Sequence, residues 1–130
     1  MSEQNVAGLK RAFEAFASGD LQAAFEFIDP EFAIDDRIIG SPSERGPDAL
    51  IANAAAVREA IGDVSWEPGD ILDLGDRVLV EVHVTGAGRH TSLPINTAVG
   101  QIFTIRDGRA VKLEIFRTYE EARRAAGLSE

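Results

Sequence analysis

The chain of 130 residues contains no cysteine, which excludes a disulfide framework and any thiolate metal site. Basic residues are also scarce: 13 Lys and Arg stand against 22 Asp and Glu, for a formal net charge of -9. Binding nucleic acid requires clustered cations, whereas the one dense pair, Arg123-Arg124, follows directly on Glu120-Glu121-Ala122. Nucleic acid is therefore excluded as a partner. No apolar run approaches the ~20 residues of a bilayer span, so no membrane association is expected. The opening Met1-Ser2-Glu3-Gln4-Asn5 lacks the basic and apolar regions of a secretory signal, and with the missing thiols this points to the cytoplasm. There are two histidines, His83 and His90, without helical or hairpin ligand spacing, and no metal site is expected. A glycine-rich phosphate loop, a nucleophile elbow and a dinucleotide fingerprint are all missing, so the chain is expected to work without a cofactor.

What remains is a globular composition, 45% hydrophobic and 27% charged, at a length suited to one domain over residues 1–130. Val6, Leu9, Phe13 and Phe16 form a helical stripe with Lys10, Arg11 and Glu14 outside it. Gly19 suits a helix C-terminus and Asp20 the N-cap of a second helix, which is expected to run from Leu21 to about Ile28 and to stop at Asp29-Pro30. Phe32, Ile34 and Asp35-Asp36 read as a short strand entering a turn. Pro47 and Asp48 open a third helix that continues to Ile61 and closes at Gly62. The period then changes from helical to alternating. Strands are expected over Val64–Leu74, Val78–Val84, Ile95–Arg106 and Ala110–Arg117, with Asp107-Gly108 as a hairpin turn. A short helix from Tyr119 to Ala126 ends at Gly127. Helices segregated from a mostly antiparallel sheet make the fold class α+β.

Several stretches taken in order resemble the nuclear transport factor 2-like superfamily, and within it the SnoaL-like and ketosteroid-isomerase-like branch. They are Phe16-Ala17-Ser18-Gly19-Asp20-Leu21, Phe27-Ile28-Asp29-Pro30-Glu31-Phe32, Ile34-Asp35-Asp36, Arg45-Gly46-Pro47-Asp48-Ala49-Leu50, Gly75-Asp76-Arg77-Val78, Phe103 to Arg109, and Ala122 to Leu128. The resemblance implies a cone-shaped fold, in which a bent antiparallel sheet wraps round the N-terminal helices in a cystatin-like roll and leaves a cavity at the open end. It also implies a homodimer formed through the outer sheet face, and a small apolar molecule as the partner in the cavity.

Asp36 is the first catalytic candidate, because it matches by spacing the carboxylate that shuttles a proton in the isomerase branch. A carboxylate set in an apolar pocket suits proton abstraction from carbon beside a carbonyl. The alternative is a solvated strand end in which Asp35-Asp36-Arg37 forms a local ion pair. Such chemistry also needs donors for the developing enolate oxygen. Ala12 stands where the isomerases carry a tyrosine, and Gln101 where they carry a protonated aspartate. Gln101 is then either a polar group of the pocket or a satisfied core amide.

His83 lies between Val82 and Val84. If the valines face inward, Val82 borders the pocket and His83 points to the outer face; otherwise His83 is a general base. His90, in the loop before Pro94, is placed near the cavity mouth. Phe16, Phe32, Trp66 and Phe103, together with Phe13 and Phe27, are expected to line or plug the cavity, and Tyr119 to offer a hydroxyl near it. Two functions follow. One is a cofactor-free acid–base isomerase or polyketide cyclase acting on an apolar carbonyl compound, with Asp36 as base and Gln101 as polarising donor. The other is a non-catalytic ligand-binding or dimerisation module, favoured by the loss of the tyrosine at Ala12.

Overall fold

Helix α1, Ser2–Ala17, carries the first apolar stripe, and Leu9 at its centre is only 1% exposed. The computed structural model describes residues 2–87 and 94–128. Gly19, at φ 84°, turns the chain, and the Asp20 carboxylate accepts from the Ala23 amide to cap α2, Leu21–Phe25. This helix is shorter than its apolar pattern suggests. The Phe27 carbonyl accepts from the Ala110 amide and Ile28 pairs with Ala110, so residues predicted as helical are drawn into the sheet. Sheet pairing outweighs helix propensity here.

Strand β1 accordingly spans Ile28–Asp36 and includes Pro30, which the sheet tolerates because β1 is an edge strand and its register is irregular between Ile28 and Ala33. After a loop, Gly46 at φ 68° brings its backbone against the Pro30 carbonyl, where a Cβ would stand 2.8 Å from that oxygen. Pro47 then opens α3, Pro47–Ala60, whose buried row Ala49, Asn53 and Val57 faces inward.

The remaining strands are β2 (Val64–Asp73), β3 (Arg77–Ala87), β4 (Pro94–Arg106) and β5 (Arg109–Phe116), followed by α4, Tyr119–Ala125. The sheet order is β1-β5-β4-β3-β2. Successive strands from β2 to β5 are antiparallel, as expected for a mostly antiparallel sheet, and β1 adds one parallel pair by joining β5 at the edge. Register shifts at Pro68/Ile71 and at Thr104/Ile105 bend the strands, giving a curved, unclosed sheet against the first three helices. Asp107 and Gly108, at φ 54° and 80°, make the β4–β5 turn.

Period-2 alternation sorts the sheet into two faces. Val78, Val80, Val82 and Val84 face inward with Phe103, Leu113 and Ile115, packing on Leu9, Phe27 and Phe32. Leu79, Ile102 and Phe116 face the opposite way and are covered by Ala122 of α4 and Ala126 at its C-cap. The last helix is therefore a third layer on the outer face of the sheet. Thr118 caps it by accepting from the Glu121 amide. Close seating of α4 depends on Gly100, since a Cβ there would lie 2.5 Å from the Ala122 Cβ and 2.8 Å from the Thr118 carbonyl oxygen. Gly100→Val is expected to push α4 off the sheet and to cost about 2 kcal/mol, lowering the unfolding midpoint by several degrees in a thermal melt. An unchanged midpoint would show that α4 does not need this close approach.

Candidate functional site

Between the inner sheet face and helices α1 and α3 lies a cavity of about 90 Å³. Its wall is mainly aromatic. Phe13 and Phe16 come from α1, Phe27 and Phe32 from the start and middle of the β1 region, Trp66 from β2 and Phe103 from β4. Two edge-on contacts hold the rings, Phe13 to Phe103 at 6.0 Å and Phe16 to Trp66 at 6.1 Å between centroids. Leu9, Ala12, Leu50, Ala54 and Leu113 fill the spaces between them. The small side chain of Ala12 leaves room on α1 where the isomerase branch was expected to place a tyrosine.

Two polar side chains, Asn53 and Gln101, reach this wall, and no charged side chain does among the described residues. Both are neutral amides and both are buried, at 8% and 7% exposure. Gln101 thus sits on the inner face with Phe103, and among the described residues its amide has no hydrogen-bond partner. Asn53 donates from Nδ2 to the Asp36 carboxylate at 2.8 Å.

Asp36 is 5% exposed, so it is not the solvated strand end considered above. The ion pair at this place is formed by its neighbours, Arg37 to Asp35 at 3.1 Å, and lies at the surface. Arg37 also crosses to Glu114 and sits over the Phe116 ring. Asp36 itself turns inward and closes a turn, its Oδ1 accepting from the backbone amides of Ile38 at 2.8 Å and Ile39 at 3.1 Å. Its own amide donates to the Ser41 hydroxyl. The carboxylate does not border the cavity directly. Asn53 stands between them.

The other candidates separate cleanly. Phe16, Phe32, Trp66, Gln101 and Phe103 are at the cavity wall. Val82 is buried in the same inner core without bordering the cavity. Tyr119 is not near the pocket: it belongs to α4 and packs on the outer cluster, with Arg123 beside its ring. Strand alternation forces this, because α4 lies against the face that carries Leu79 and Ile102. His83 is exposed on the outer face beside Glu81 and over Gly69, which removes it as a base for this cavity. His90 lies outside the described residues. No cluster of three or more potential metal ligands occurs among the described residues.

Asn53 is the residue that sequence reasoning missed. The signal was present in α3, where Ala49, Asn53 and Val57 repeat every four residues and an amide interrupts an apolar row.

A model of the SnoaL-like domain family matches residues 9–113. No curated protein matches the chain. Among solved structures, a nuclear transport factor 2-like protein of unknown function from Burkholderia pseudomallei K96243 superposes with a TM-score of 0.75 at 20% identity, covering 93% of this chain and 95% of its own. A protein from Jannaschia sp. CCS1 named, by inference, a SnoaL-like polyketide cyclase gives 0.75 at 19% identity, with 99% and 95% covered. TerC, co-crystallised with polyporic acid, gives 0.75 at 16% identity, with 93% and 96% covered. At these identities the likeness is one of fold.

Removing the Asp36 carboxylate leaves two backbone amides and the Asn53 amide without their acceptor. Asp36→Ala is expected to destabilise the protein by about 3 kcal/mol, whereas Asp35→Ala next to it, which removes a surface ion pair, changes little. Urea unfolding of the two variants checks this, and equal midpoints would contradict the buried hydrogen-bond set.

Proposed function

Because the chain belongs to the SnoaL-like domain family, matched over residues 9–113, we propose that it holds one small, largely apolar molecule in the cavity between α1, α3 and the sheet, without a cofactor. The supporting observation is the composition of the wall: six aromatic rings and two neutral amides, with no charge among the described residues. A charged ligand would lose its hydration there without finding a countercharge. An apolar ring gains by leaving water and meets ring faces and edges on several sides. The volume limits the guest, since an apolar cavity of about 150 Å³ takes benzene. A molecule of one ring fits with small movements of Phe16 or Trp66, and a larger one extends through the mouth. TerC, which shares the fold, was co-crystallised with a small molecule, polyporic acid.

Trp66 is the chain's sole tryptophan and borders the cavity, so its emission reports occupancy. Toluene is expected to change that emission saturably, and Ala12→Leu, which fills the wall from α1, to weaken the affinity at least about tenfold. Saturable binding that Ala12→Leu leaves untouched would sink the proposal.

A second reading keeps catalysis in the same place. In it, the Asp36 carboxylate takes a proton from carbon adjacent to a carbonyl, the C–H electron pair moves to the carbonyl oxygen, and the Gln101 amide donates a hydrogen bond to the enolate formed. The observation in its favour is that Asp36 is a buried carboxylate joined to the cavity wall through Asn53, and the reading requires Asn53 to move aside so that the substrate carbon reaches Asp36. If it holds, the protein accelerates deuterium exchange into the carbons flanking the carbonyl of cyclohexanone, and Asp36→Asn lowers that rate about a hundredfold while toluene binding persists. Exchange at the buffer rate in the unmodified protein rejects this reading and leaves the binding function alone.

A further inference from the structure

The unused atoms of the two wall amides carry more information than their presence. Around the Asp36 carboxylate every hydrogen-bond partner among the described residues is a donor: the amides of Ile38 and Ile39 at Oδ1 and the Asn53 Nδ2 at Oδ2. The carboxylate is an acceptor in all three bonds, so the amide group of Asn53 must present its NH₂ to Asp36. Its oxygen is thereby turned away from Asp36, and among the described residues that oxygen has no partner. Nor, among the described residues, is any side-chain nitrogen or oxygen both sealed off and unpartnered. The Asn53 oxygen and the Gln101 amide therefore open onto the cavity that both residues line. Their roles differ. Among the described residues nothing fixes the Gln101 amide, which can turn to donate or to accept. Asn53 is held in one sense, with its acceptor oxygen turned away from Asp36.

We infer that Asn53, oriented by Asp36, selects a ligand whose apolar ring carries a hydroxyl or N–H donor, with Asp36 acting as a positioning residue. This rests on the cavity being the binding site. A ligand without a donor strands a buried carbonyl oxygen that water no longer reaches, and such a loss discriminates more sharply than the gain of a methyl contact. Gln101 accepts a second group on the ligand, donor or acceptor, and so adds affinity without setting the sign. A carbonyl compound alone meets Gln101 but not Asn53.

Phenol and toluene are close in shape and differ in the donor, and they serve as probes. Both are titrated into the full-length protein and followed by two-dimensional amide NMR, including the side-chain NH₂ signals of Asn53 and Gln101. Phenol is expected to bind about tenfold more tightly than toluene, a preference lost in Asn53→Leu with toluene affinity kept or improved. Asp36→Asn is expected to shrink the preference while leaving toluene affinity in place, which a merely structural role for Asp36 would not do. Should Asp36→Asn fail to fold, anisole replaces it as the second measurement on the unmodified protein, because methylation removes the donor and retains the oxygen. Anisole is then expected to bind no better than toluene. Equal binding of phenol and toluene, or a preference that survives Asn53→Leu, overturns this inference and leaves the cavity as the binding site. Failure of all three probes to bind overturns the cavity reading itself.

Discussion

The carboxylate of Asp36 joins three parts of the chain at one point. It ends β1, closes the turn into the following loop through two backbone amides, and takes the amide hydrogen of Asn53 from the middle of α3. Burying a carboxylate is costly unless its hydrogen bonds are complete, and here three donors converge on it. The cavity depends on that bundle. It sets where α3 lies against the edge strand, and it fixes the direction in which the one rigid amide of the wall points.

Most of the architecture was readable from periodicity. The valine alternation of β3 marked a strand but left open which side faces inward, a choice made by the packing of Val78, Val80, Val82 and Val84 in the inner core. The Asp-Gly pair marked the β4–β5 turn, and the Gly–Asp step separated α1 from α2. What could not be read were features decided by partners remote in sequence. Residues Phe27 and Ile28 carry a helical pattern but are claimed by Ala110, and the parallel sense of the β1–β5 pair leaves no local mark. Tyr119 was misplaced for the same reason, since a helix after the last strand can cover either face and only the contacts of Leu79, Ile102 and Phe116 show which.

The site was legible to a lesser degree. Aromatic side chains on several elements announced an apolar interior, and Gln101 stood out on an inward-facing row. Asp36 stood out by position, but its surroundings did not. A lone acidic residue at a strand end looks the same in sequence whether it is solvated or buried against another side chain, and the Asn53 contact shows that it is buried. The exposed Asp35–Arg37 pair flanking it hides the distinction further. An amide inside a helix of alanines is easily taken for a surface residue, although its spacing from Ala49 and Val57 says otherwise.

The parallel pairing of β1 with β5 has a bearing on how the protein is made. β1 precedes β5 by one helix and three strands, yet among the described residues β5 is its sheet partner, so Phe32 and Ile34 have no ladder to join until β5 has been made. Contacts of such long span form late and slowly. Until β5 is available, the edge that holds Phe32 and Ile34 stays unpaired, and that interval, more than the finished molecule, is where a chaperone would find something to hold.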